Sequence, residues 1–105
     1  MKQYQIAIVN LAPTLGSEMT KTRPCLIVSP DEVNQHLNII VIAPITSASK
    51  PYPTRVFVES VKYKGWVALD QIRTIAKERI LSVNGFIAEL EVAEIKRVIR
   101  ETYVD

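Results

Sequence analysis

The sequence predicts a mainly β domain of the α+β class, a small, strongly bent barrel with a short helix after its second strand and an amphipathic helix at its C-terminus. Three observations predict it. Short apolar runs rich in Val and Ile recur along the chain, most of them too short for helices. Proline and glycine punctuate them, at Pro13, Gly16, Pro51, Pro53, Gly65 and Gly85. Only residues 89–102 carry a clear helical period over several turns. A chain of 105 residues with 48% hydrophobic and 23% charged residues suits one globular domain spanning 1–105.

The elements follow in order. Residues 4–11 form a nearly continuous apolar run, expected as a strand buried on both faces. Residues 12–22 form a loop, and 24–28 the second strand. At Ser29-Pro30-Asp31-Glu32, Ser29 can cap a helix, Pro30 suits its first position and Glu32 can complete a capping box, so a short helix is expected over 30–36. Residues 38–45 are a strongly apolar third strand. A second long loop, 46–53, holds Tyr52 between Pro51 and Pro53, which keep it extended. In 54–59, Val56 and Val58 alternate with Arg55, Phe57 and Glu59, the pattern of a half-exposed strand. Residues 65–69 are the next strand, leading into Asp70-Gln71-Ile72-Arg73-Thr74-Ile75. Residues 80–87 are expected as a short strand pair turning at Asn84-Gly85, a hairpin signal. In the final helix Leu90, Val92, Ile95, Val98 and Ile99 form the apolar stripe, and Ala93, Lys96, Arg97 and Arg100 the solvated side.

Composition excludes several chemistries. One cysteine, Cys25, allows neither a disulfide framework nor a cysteine metal cluster, and within a strand it reads as a small buried side chain. One histidine, His36, rules out a double-histidine ribonuclease site within one chain. No signal-peptide pattern and no apolar run of membrane-spanning length is present, so a cytoplasmic protein away from membranes is expected. The net charge of +2 is mild, and a local basic patch matters more than the sum.

Strand ends bring Arg23, Thr46, Ser47, Asp70, Gln71, Arg73 and Thr74 toward the loops, which add Ser17, Glu18, Lys21 and Lys50. Arg23 stands where a polar loop enters an apolar strand, a rigid position with open access for a cation that must meet phosphate. The plainer reading of Arg23 alone is a surface arginine paired with Glu18 or Glu32. The set offers phosphate ligands and hydroxyls and no metal triad. RNA supplies its own nucleophile, the 2′-hydroxyl, leaving the protein to orient it and to stabilise charge on phosphorus. Simple anion binding fits the same inventory.

Several segments in order carry a resemblance. They are Pro13-Thr14 with Gly16-Ser17-Glu18, Thr22-Arg23-Pro24 before an apolar strand, Ser29-Pro30 with Asn34, Ala43-Pro44-Ile45-Thr46-Ser47, Tyr52-Pro53-Thr54, and Gly65 with Val67-Ala68-Leu69-Asp70-Gln71-Ile72-Arg73-Thr74-Ile75 and Arg79. The chain resembles the MazF/PemK family of toxin–antitoxin endoribonucleases, nearer the MazF branch. The resemblance implies an SH3-like barrel, a homodimer, and metal-independent, sequence-selective cleavage of single-stranded RNA without a cofactor. It implies 2′-hydroxyl attack, leaving a 2′,3′-cyclic phosphate and a 5′-hydroxyl. By the same token Arg23 and Thr46 are the expected catalytic pair. The expected RNA contacts are Ser17, Glu18, Lys21, Thr22, Ser47, Lys50, Tyr52, Gln71 and Arg73. An antitoxin with an acidic, disordered C-terminal tail is the expected protein partner, laid into the same groove. Tyr4, Gln5 and Ala7 depart from the usual opening of the first strand, and Ala68 stands where the PemK/Kid branch has an arginine.

For other residues a plainer role stands beside the sharper one. Asp70 and Gln71 serve either as RNA contacts or as ties from a strand end to the neighbouring loop, and Tyr52 either stacks a base or anchors its loop. Trp66 reads as packing or dimer contact. Ile8, Ile40, Ile42 and Trp66 are expected to leave apolar surface for a two-fold dimer that builds the groove from both chains. Two other functions share the fold: a non-enzymatic, CcdB-like gyrase poison, and an inactive SH3-like binding module.

Overall fold

A computed structural model of the chain describes residues 1–12 and 21–105. Seven antiparallel strands make one sheet: β1 (Gln5–Asn10), β2 (Thr22–Ile27), β3 (Ile39–Thr46), β4 (Arg55–Glu59), β5 (Lys64–Ala68), β6 (Arg73–Ala76) and β7 (Ile80–Phe86). They pair in the order β4-β5-β3-β2-β1-β7, and β6 joins β3 off that path. A short helix α1 (Asp31–His36) follows β2, and α2 (Glu89–Ile99) follows β7. No ladder among the described residues joins β4 to β7, so the bent sheet approximates the expected barrel without closing it.

The alternation of side chains sorts the core into two clusters. Ile6, Leu26, Ala43, Ile45, Val58 and Leu69 belong to the first, with Ile95 and Val98 of α2 packed among them. Ala7, Val9, Cys25, Ile27, Ile40, Ile42 and Ile75 belong to the second. Strands β1, β2 and β3 contribute to both, which is why their sequences read as continuous apolar runs rather than alternating ones. Ile40 and Ile42 are wholly buried in the second cluster. The expectation that they contribute to a dimer surface is therefore corrected.

β3 is the hinge of the sheet. Its Ile39–Ile42 segment pairs with β6, Ile42 to Pro44 pair with β2, and Ile45 and Thr46 pair with β5. The β5 and β6 ladders are offset by three residues in register along β3. A 3-10 turn, Leu69–Gln71, takes up that offset, burying Leu69 and leaving Asp70 and Gln71 exposed.

The segment after Gln71, to which the sequence assigned no element, forms a strand, β6. Three expectations are corrected. Residues 80–86 are one strand rather than a hairpin, because neither Asn84 nor Gly85 takes the positive φ that such a turn requires. Ser29 does not cap α1: its hydroxyl donates to the Asn34 amide oxygen and accepts from the Val41 N–H at 3.0 Å, and Pro30 stands at the N-cap with no side-chain cap. Leu90 is 86% exposed, so the apolar stripe of α2 begins at Val92, and the α-helix ends at Ile99 before a π-helical turn over Arg100–Val104. Glu91 fixes the start of α2, one carboxylate oxygen accepting from the Ala88 N–H at 2.9 Å and the other from the Glu59 N–H at 2.9 Å.

Candidate active site

Where β2 begins and β3 leaves it, the surface opens into a groove of about 560 Å³. Leu11 and Pro44 give it apolar wall, Lys21, Arg23 and Arg73 give it three cations, and Thr22 and Gln71 add neutral polar groups. The backbone explains the convergence. Arg23 of β2 pairs with Val9 of β1, and Arg73 of β6 pairs with Ile42 of β3, so the two arginines reach one site from opposite sides of β3. Cys25 reports the same geometry. Burial pushes its thiol up to about 12, and the positive charges of Arg23 and Arg73 both pull the other way. Both guanidiniums are exposed residues at the groove, able to meet a ligand without first leaving a buried ion pair.

Thr46 ends β3. The β2–β3 register, Cys25 opposite Pro44, would bring Arg23 opposite Thr46 if it continued by two residues. The ladder stops there because β3 turns to β5, where Thr46 pairs with Trp66. Thr46 is half-buried and its hydroxyl donates to the Ala48 carbonyl at 3.0 Å. That bond turns the chain back at the start of loop 47–54. Thr46 lies at the root of that loop rather than in the lining of the groove.

The other expected residues are distributed as follows. Lys21, Thr22, Gln71 and Arg73 line the groove with Arg23. Ser47 and Lys50 are exposed on loop 47–54. Tyr52 is half-exposed and lines a separate hollow of about 430 Å³ with Arg55, Phe57 and residues of α2, and none of the groove's lining residues lines that hollow. Ser17 and Glu18 fall outside the described residues. His36 is exposed at the end of α1. Among the described residues no group of three or more His, Cys, Asp or Glu is placed to hold a metal ion, and no helix is long and apolar enough to cross a membrane.

Two arginines that sequence reasoning did not single out for the site organise its surroundings. Arg55 Nε and Nη2 grip Asp70 at 2.8 and 3.2 Å, and Nη1 donates to Ser49 Oγ at 2.9 Å. The guanidinium holds the Asp70 carboxyl below its ordinary range, with Thr54 Oγ1 donating a further bond at 3.0 Å. Arg79 donates to the carbonyls of Asn10 and Ala12, tying the end of β1 to the turn before β7. The alternation in 54–59 already set Arg55 opposite the buried valines, but its partners lie 15 residues ahead and 6 behind, at no periodic spacing.

Comparison with known proteins bears on the whole chain. A family model described as "PemK-like, MazF-like toxin of type II toxin-antitoxin system" matches residues 2–103. An endoribonuclease MazF of Staphylococcus epidermidis is 30% identical over 101 residues, covering 90% of this chain and 84% of the relative. Among solved structures, a mycobacterial endoribonuclease in complex with its cognate antitoxin superposes with a TM-score of 0.82 at 22% identity, covering 96% of this chain and 92% of that one. A MazE–MazF structure from Deinococcus radiodurans gives 0.81 at 22% identity, covering 96% and 94%. These two share the fold.

Proposed function

Because the chain belongs to the family of PemK-like, MazF-like toxins of type II toxin–antitoxin systems, we propose that it is an endoribonuclease toxin that cleaves single-stranded RNA at selected sequences without a metal. The observation that carries this reading is the convergence of Lys21, Arg23 and Arg73 with Gln71 in one open groove. Three cations suit a polyanion, and a guanidinium fork suits phosphate oxygens.

In the proposed reaction the 2′-oxygen of the substrate attacks the adjacent phosphorus. It loses its proton, the bond to the 5′-oxygen breaks, and that oxygen takes up a proton as it leaves. The products are a 2′,3′-cyclic phosphate and a 5′-hydroxyl. Arg23 stabilises the charge that builds on the phosphorane and assists proton transfer, while the Thr46 hydroxyl holds a phosphate oxygen. An unpaired strand is needed because a base-paired backbone does not bring the 2′-oxygen in line with the leaving group. Lys21, Thr22, Ser47, Lys50, Gln71 and Arg73 are the proposed RNA contacts, together with Ser17 and Glu18, which lie between β1 and β2 in sequence. Tyr52, on the far side of loop 47–54, is proposed to meet RNA only where the strand extends past that loop.

The proposed partners are a second copy of the chain and an antitoxin. Leu81, Val83 and Phe86 of β7 are 57%, 43% and 53% exposed, which supports a self-association surface there. The named mycobacterial relative was solved with its cognate antitoxin, and the cationic groove suits an acidic tail.

The decisive experiment uses purified protein and single-stranded RNA in excess EDTA. Cleavage is expected to persist, with cyclic phosphate and 5′-hydroxyl ends, and a 2′-deoxy substitution at the scissile nucleotide should protect the strand. Loss of activity in chelator, or cleavage of the deoxy substrate, overturns the mechanism.

A further inference from the structure

Arg55 is the first residue of β4, and its guanidinium is shared among three neighbours on two different segments. Two of its nitrogens bind both Asp70 carboxylate oxygens, in the side-by-side geometry that makes an ion pair directional. A third binds Ser49 on loop 47–54, and the Tyr52 ring lies 5.7 Å from the guanidinium carbon. The Arg55 side chain is only 14% exposed although it sits at the surface. Bonds on each side extend the contact. Ser49 Oγ donates to the Lys50 carbonyl at 2.8 Å, Thr54 Oγ1 donates to Asp70 Oδ1, and the Leu69 N–H donates to the Thr54 carbonyl at 3.0 Å. On the far side of the 3-10 turn, the Tyr103 hydroxyl donates to the Leu69 carbonyl.

The turn and the loop each carry part of the site. Residues 69–71 take up the offset between β5 and β6, and Gln71, next to Asp70, lines the groove. Loop 47–54 follows Thr46, the last residue of β3, and carries Ser47 and Lys50. The Arg55–Ala68 ladder pairing and the Leu69 N–H bond to the Thr54 carbonyl tie the start of the turn to the last residue of the loop, but no ladder bond reaches from the turn to Ser49, further back along it. The Arg55–Asp70 pair spans that gap.

We propose that Arg55 and Asp70 act together as a positioning brace for RNA cleavage, holding loop 47–54, and with it Thr46, in register with Gln71 and the cationic groove. Neither residue touches the reacting atoms. The pair acts by fixing where the Thr46 hydroxyl stands when the substrate phosphate arrives, so its loss lowers turnover more than affinity. The proposal rests on the endoribonuclease reading above.

The test compares Arg55→Ala, Asp70→Ala and the double variant, with Arg55→Lys and Asp70→Asn as conservative partners. Two readouts are used, RNA cleavage kinetics and amide hydrogen exchange of the intact protein. Each alanine variant should lower kcat at least tenfold with KM changed less than threefold. The double variant should be no worse than the weaker single, because both lose the same contact. Asp70→Asn, which keeps its acceptor oxygen, should recover much of the loss. Exchange should quicken in 47–54 and 69–72 and remain unchanged in β1 and α2. Unchanged exchange in loop 47–54 overturns the brace whatever the kinetics show. So does a kcat loss in Asp70→Ala that Arg55→Ala does not share, since Asp70 would then act on RNA directly. A wild-type protein that cleaves no RNA overturns the enzymatic reading instead, and the exchange data then report the brace separately.

Discussion

The Cβ that Gly65 lacks would stand 2.6 Å from the carbonyl oxygen of Thr46 and 2.9 Å from Ile45 Cγ2. β5 therefore lies against the end of β3 at a separation that only glycine permits, and the position of Thr46 depends on it. The obstacle is largely backbone, which has little room to yield.

Gly65→Ala is expected to destabilise the fold by about 1–3 kcal/mol, the usual range for overpacking a filled site. It should also slow RNA cleavage, since the relief available is displacement of the Thr46 backbone. A urea midpoint and an initial rate measured on the same preparation check both. A variant with wild-type midpoint and rate would mean that β5 moves away freely.

Arg23→Ala should lower cleavage by on the order of a hundredfold or more, the range seen when one electrostatic contact to a transition state is removed. Its urea midpoint should stay near wild type, because Arg23 is exposed. Arg23→Lys should also be poor, since an ammonium keeps the charge and loses the planar fork. Thr46→Val keeps the shape and loses the hydroxyl, and should cut turnover strongly. Near-normal cleavage by Arg23→Ala would shift the role to Arg73, the other guanidinium beside Cys25.

Alkaline stability should carry the signature of Cys25. Its thiol titrates at about 12 in the folded protein against an ordinary 9.0, because burial disfavours the thiolate more than Arg23 and Arg73 favour it. Between those values the folded chain holds a proton that the unfolded chain has released. Stability is therefore fully present below pH 9 and declines as pH rises toward 12. Cys25→Ala should be less stable at neutral pH, from the lost packing, and should show a flatter alkaline decline. Urea midpoints at pH 8, 9.5 and 10.5 measure the difference in slope. A thiol reagent should label the folded wild type far more slowly than the unfolded chain.

An acidic antitoxin tail and RNA should compete for Lys21, Arg23, Lys50 and Arg73. Both should weaken as salt rises, RNA more steeply because it also releases condensed counterions. Reversing the charge at Lys21 and Lys50, both exposed, should slow association of each ligand more than it changes dissociation. Titrating an uncleavable RNA analogue against the tail peptide on the wild-type protein gives the answer. A ternary complex with no mutual loss of affinity would place inhibition elsewhere.

Much of the fold was legible because local chemistry determined it. The strongly apolar run 38–45 read as a strand and the amphipathic period of 89–102 as a helix, and β3 and α2 stand there, the helix ending earlier, at Ile99. The resemblance carried by Thr22-Arg23-Pro24 and Asp70-Gln71 also pointed to the family from sequence alone. Tertiary structure decided what depends on partners distant in sequence. Asn84-Gly85 has the chemistry of a turn, yet β1 holds it within a single strand. Leu90 fits the helical stripe, yet lies beyond the part of α2 that reaches the core. The register offset between β5 and β6 turned an apparent strand end into the turn that exposes Asp70 and Gln71. The ion pair of Arg55 and the need for glycine at position 65 arise only when three strands meet at Thr46. Periodicity records which face a residue presents, and it carries no record of which distant residue that face will meet.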